Sequence, residues 1–168
     1  MNRPDDAFRF MQEGLAYVQS ESFALAEDSY ALALENAQST LGSGHPMTAS
    51  LIGHLARAVL AQKSGREEFG MALFERQVFM YENETTLRDS LSERLTAVQE
   101  LAGTYELVGR TDDAEAMSKK ASELMEEVEA KMTRLEAEAA AARQGPKGDG
   151  EGKQSGADEE DEEDEEDD

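Results

Sequence analysis

The sequence predicts an all-α protein of three helix–turn–helix hairpins, ending in a long helix and an acidic tail. Two observations lead there. First, small and large residues recur at a spacing of 44: Ala26, Gly70 and Ala114; Gly14, Ala58 and Ala102; Tyr17, Ala61 and Tyr105; Tyr30, Phe74 and, in weakened form, Ser118. A fixed period of this length marks stacked supersecondary units, none of which buries its apolar face alone. Second, proline occurs only at 4, 46 and 146, at a start, a junction and an end, and no alternating strand pattern is present.

The first helix is expected from Asp5 to about Gln19, because Phe8, Met11, Leu15 and Val18 are spaced 3, 4 and 3. A break at Ser20-Glu21-Ser22 leads to a second helix carrying Leu25, Tyr30, Leu32 and Ala33. Leu41-Gly-Ser-Gly-His-Pro46 reads as a loop, with glycine for backbone freedom and proline restarting the chain. The third helix spans roughly Met47–Lys63 and stops at Ser64-Gly65; the fourth runs from about Glu67 to Tyr81. Thr85 or Thr86 is expected to cap the fifth helix, which reaches Val108 and ends at Gly109. Thr111 opens the sixth, with Asp112 and Asp113 in its first turn, where negative charge suits the helix dipole. That helix is long, to Arg143, along a stripe of Met117, Ala121, Leu124, Val128, Met132, Leu135 and Ala139. Its first half is expected to pack as a cap and its Ala/Glu-rich second half to project into water; a self-associating coiled coil is the alternative.

Residues 1–143 thus form the helical domain, with hairpins at about 5–41, 46–83 and 85–143. Residues 144–168 form a tail expected to be disordered. It ends in eleven consecutive acids: Asp158, Glu159, Glu160, Asp161, Glu162, Glu163, Asp164, Glu165, Glu166, Asp167 and Asp168. Mutual repulsion keeps such a run extended. The net charge is −22, and the tail carries half of it: 13 acids and 2 bases in residues 144–168, against 25 and 14 in the rest.

These features exclude several kinds of work. Nucleic acid and anionic membrane are poor direct partners, because phosphate binding needs concentrated Lys and Arg. With no cysteine there is no disulfide, thiol catalysis or thiolate metal site. The two histidines, His45 and His54, lack metal-ligand spacing. No Gly-x-Ser-x-Gly, phosphate loop or EF-hand spacing occurs, so neither an enzyme nor a cofactor is expected. No apolar run reaches membrane length and the start is charged, so a cytoplasmic location is expected.

The repeats resemble tetratricopeptide repeats, closest to the long-period kind of kinesin light chains. The third copy carries the resemblance best, in Leu101-Ala102, Tyr105, Gly109-Arg110, Ala114-Glu115 and Ala121; the first supplies Phe10, Gly14, Tyr17, Ala26, Tyr30 and Ala33. The second supplies Gly65-Arg-Glu-Glu-Phe, Gly70, Phe74 and Gln77, but its first helix can be counted two ways. Leu55-Ala56 fits from Pro46 and Arg57-Ala58 fits from Gly65, a two-residue offset. Ser118 and Gln77 are poor packers for their positions.

The resemblance implies a short right-handed solenoid that binds a partner segment in its concave groove. Carried over, the groove positions are Phe8, Met11, Leu15 and Val18; Ile52, Leu55, Val59 and Gln62; and Thr96, Gln99, Gly103 and Glu106. The Lys, Asn and Arg that clamp a chaperone's terminal carboxylate in some relatives are missing from this set. The expected function is therefore a non-catalytic adaptor for a protein partner, an apolar or amphipathic helical segment with or without basic residues. Two alternatives stand beside it: an acidic chaperone-like binder of a basic protein through the tail, and a homo-oligomer formed through the N-terminal apolar face or the last helix.

Overall fold

The computed structural model describes residues 4–87 and 89–143. Six helices run in order: α1 (Pro4–Gln19), α2 (Phe23–Thr40), α3 (Pro46–Ala61), α4 (Glu67–Asn83), α5 (Leu91–Leu107) and α6 (Thr111–Arg143). No strand occurs among the described residues, and the fold class is all-α. The described residues up to Thr133 form one compact unit, and those from Arg134 form another. The acidic tail expected from the sequence lies outside the described residues.

Each hairpin turn follows from local backbone chemistry. α5 ends where Gly109 takes φ 78°, a left-handed conformation that glycine adopts without strain. The Gly109 N–H then donates to Glu106 O at 3.1 Å and the Arg110 N–H to Tyr105 O at 2.8 Å, the paired bonds of a Schellman cap. α1 ends the same way, with Glu21 at φ 57° and bonds from Glu21 N–H to Val18 O and Ser22 N–H to Tyr17 O. The first and third turns have three residues, 20–22 and 108–110, but the second has five, 62–66. In the second, Lys63 makes the left-handed residue at φ 49°, and Gly65 makes another at φ 75°.

Those two extra residues settle the register of α3. Ala56 is fully buried and Leu55 nearly so, whereas the Arg57 side chain is 43% exposed. Ala56 therefore takes the place that Gly14 takes in α1 and Ala102 in α5. Ile52, Leu55 and Val59 correspond to Val98, Leu101 and Tyr105, all buried. Counting from Pro46 is the register the fold adopts. Burying Arg57 unpaired would cost several kcal/mol, whereas Ala56 and Ala58 are interchangeable in size.

The period persists along α2, α4 and α6. Ala26, Gly70 and Ala114 are buried, as are Ala33, Gln77 and Ala121, and Tyr30 and Phe74 fill the core at 1% and 2% exposure. Ser118 is exposed instead. A Cβ at Gly14 would lie 2.5 Å from the Tyr30 ring, so the glycine lets α1 approach that ring. Gln77 is tolerated in the core because Gly53 opposite it lacks a side chain and Ala49 O accepts from its Nε2 at 3.1 Å.

α1 packs on α2, α2 on α3, α3 on α4 and α4 on α5. α3 starts on Pro46 with His45 as its cap, its Nδ1 accepting from the Met47 N–H. The capping expectation at Thr85 or Thr86 is not met. Thr85–Leu87 forms a 3-10 turn, α5 begins only at Leu91, and the Thr86 hydroxyl donates to Gly44 O. Leu87, fully buried, draws this segment into the core. In α6, Ala121 and Leu124 are buried, while Met132 and Leu135 are about half exposed at 53% and 46%.

Charged pairs join one hairpin to the next. Arg66 grips Glu27 with two bonds of 2.8 and 2.9 Å. This holds the Glu27 carboxyl below the usual range, partly offset by its burial. Glu75 accepts from the Tyr105 hydroxyl at 2.7 Å and from Arg110 at 3.3 Å, and Lys120 pairs with Glu82. Burial, and next the bond to Glu75, push the Tyr105 hydroxyl up to about 12.

Candidate binding face

The exposed side of α5 is one continuous stripe. Glu93, Thr96, Gln99, Gly103 and Glu106 are all exposed and follow one another at helical spacings of three and four, and exposed Leu107 lies one turn beyond Gly103. At its centre, half-buried Glu100 reaches across to α3. Arg57 Nε donates to Glu100 Oε1 at 2.5 Å and Nη2 to Oε2 at 3.1 Å, a two-pronged pair. The exposed sides of α3 and α5 therefore adjoin at this bridge.

His54 lies beneath the bridge. Its ring stacks on Tyr30 with centroids 5.2 Å apart and planes 21° from parallel, and its Nδ1 is 3.2 Å from Arg57 Nη1. Burial, then the Arg57 charge, hold its pKa down to about 4, so the ring is neutral at pH 7. A neutral imidazole stacked on a core tyrosine is a packing element. No group of three metal-ligating side chains gathers among the described residues. No described helix is long and apolar enough to cross a membrane.

The positions expected to line a groove divide into three sets. On α5, Thr96, Gln99 and Glu106 are at the surface, with the Thr96 hydroxyl bonded to Ser92 O within its own helix. On α1, Phe8 is 52% and Val18 37% exposed, while Met11 and Leu15 are half-buried. On α3 the expectation fails. Ile52, Leu55 and Val59 are 0%, 6% and 1% exposed and belong to the core, so they offer no binding surface. Half-buried Gln62 donates to Glu27 Oε2 at 2.6 Å and to Ala58 O.

The two-residue shift explains that failure and names the replacements. In the register the fold adopts, Ser50, Arg57 and Leu60 stand where Phe8, Leu15 and Val18 stand on α1 and Thr96, Gly103 and Glu106 on α5. The Arg57–Glu100 bridge was not foreseen in the sequence. The count from Pro46 carried the signal for it, since that count turns Arg57 outward.

A separate cleft of about 460 Å³ opens between the first and second turns, lined by Glu21, Ser22, Phe23, Leu25, Ala61 and Gln62 among others. Its lining holds one carboxylate, two hydroxyls and no cationic side chain.

No protein-family model matches this chain, and no curated protein matches it either.

Proposed function

We propose that the chain is a non-catalytic, cytoplasmic scaffold of three tetratricopeptide-like hairpins, stacked as a short right-handed solenoid. Its work is to dock a segment of another protein along the side formed by α1, α3 and α5. The observation that carries this reading is the Arg57–Glu100 bridge. It joins the first helices of two successive hairpins 43 residues apart, close to the sequence period, as side-by-side repeats require. The equal burial of Ala26, Gly70 and Ala114, one per hairpin, supports the same stacking. Scaffolds of this kind bind extended or helical segments on surfaces pre-formed by rigid helices.

A photo-reactive residue tests the reading. Placed at Thr96 or Glu106, it should cross-link a partner from cell extract; placed at Ala72 or Phe79, on the exposed side of α4, it should not. Equal labelling from both sides would defeat the proposal.

A further inference from the structure

Of the helical glycines among the described residues, three are explained by packing within the chain. A Cβ at Gly14, Gly53 or Gly70 would come within 2.5–2.6 Å of Tyr30, Gln77 or Leu60. Gly103 is different. It lies inside α5, is exposed, and a Cβ there would meet nothing within 4 Å. Glycine at such a place destabilises a helix by about 1 kcal/mol relative to alanine. Among the described residues, nothing of the chain's own needs this bare stretch of backbone.

The surroundings specify what could use it. One turn on, Leu107 is 66% exposed, the highest among the exposed large apolar side chains. Glu106, three residues on, and Glu93, ten residues back near the start of α5, are exposed and form no ion pair among the described residues. Arg57, the cation that bridges α3 to α5, is already held at two points by Glu100. A partner laid here meets uncompensated negative charge, an apolar side chain and an open notch. The whole chain adds its net −22 to the field.

We propose that the α3–α5 face receives a cationic amphipathic segment of a partner protein, which passes closest over Gly103, packs an apolar side chain on Leu107 and sets Lys or Arg against Glu93 and Glu106. This rests on the docking-face reading above and adds the chemistry of the occupant. Charge complementarity selects it, because an acidic segment would meet like charge along α5.

Full-length protein is titrated by fluorescence anisotropy with three synthetic amphipathic peptides: a Leu/Lys helix, its Leu/Gln counterpart, and a Lys/Gln peptide without the leucines. The Leu/Lys peptide should bind at least about tenfold tighter than either of the others. Gly103→Leu should weaken it by about tenfold while leaving the helix at least as stable, because leucine is the better helix former. Glu93→Lys with Glu106→Lys should do the same and shift preference to a Leu/Glu peptide. Asp28→Lys with Glu35→Lys, on the exposed side of α2, makes the same change in net charge and should leave binding intact. Equal losses from the α2 pair would overturn the proposal in favour of overall charge. If the Leu/Gln peptide binds as tightly as Leu/Lys and is lost in Gly103→Leu, the docking face stands and the cationic occupant falls. If no peptide responds to any α5 change, both fall.

Discussion

Deleting Lys63 and Ser64 should leave the fold intact and make it more stable. The deletion joins Gln62 directly to Gly65-Arg66. It recreates the third turn, in which Val108 is followed by Gly109-Arg110, with three residues in place of five. Gly65 would take over the left-handed position that Lys63 now holds at φ 49°. Removing a non-glycine residue from that conformation relieves about 1 kcal/mol. Shortening the turn from five residues to three lowers its closure entropy by about 0.5 kcal/mol. Arg66 keeps its carboxylate partner Glu27, and Gln62 keeps its own bond there. The sum is a gain of about 1–1.5 kcal/mol, or a rise in Tm of several degrees for a domain of this size. Thermal unfolding followed by circular dichroism at 222 nm measures it. A Tm lowered by more than a few degrees, or loss of a single cooperative transition, would show that Lys63 and Ser64 are structural and that the register argument for α3 is mistaken.

Other substitutions probe the packing and the charges. Gly14→Ala and Gly103→Ala should move stability in opposite directions: the first loses about 1–2 kcal/mol as its methyl meets the buried Tyr30 ring, and the second gains up to about 1 kcal/mol. Urea titration of both variants reads the contrast, and a shared sign would refute it. His54 should titrate near pH 4 by NMR. Since that value lies below its unfolded 6.5, the neutral ring contributes stability that is complete above pH 6.5 and lost as pH falls through 4, at most about 3 kcal/mol. His54→Gln should flatten that part of the pH dependence, and an unchanged profile would remove His54 from the account. Association of a cationic partner should slow as salt rises from 0.1 to 1 M, where the Debye length falls from about 10 to about 3 Å. Equal salt slopes with and without residues 145–168 would show that the tail takes no part.

Helices were legible because their signals are local. Pro4 and Pro46, the 3.6-residue spacing of apolar side chains and Gly109 each act within a turn of their own position, and observed ends fall within about two residues of those read. The start of α5 was not legible. Two threonines offered a cap, but the demand of Leu87 for burial is a tertiary effect that outweighs one capping bond. The register of α3 was half legible. Ala56 and Ala58 flank Arg57 symmetrically, so size alone satisfies either count, and only the solvation of the guanidinium separates them. Ile52, Leu55 and Val59 went to the wrong side for that reason. The α5 stripe needed no such choice, since its turn has the common length.

The charged pairs that stitch hairpin to hairpin have a consequence for how the molecule comes apart. Glu27–Arg66 fastens the first hairpin to the second, and Arg57–Glu100, Glu75–Arg110 and Glu82–Lys120 fasten the second to the third. The middle hairpin is held from both flanks, and each outer one from a single flank. In the stacked array proposed above, the ends would fray before the centre, because an end unit loses one boundary and a central unit must lose two. These fasteners are also partly solvated and weakened by salt. In that proposed array, ionic strength would act on the boundaries before it acts on the helical pairs themselves, loosening the joints while the members stay folded.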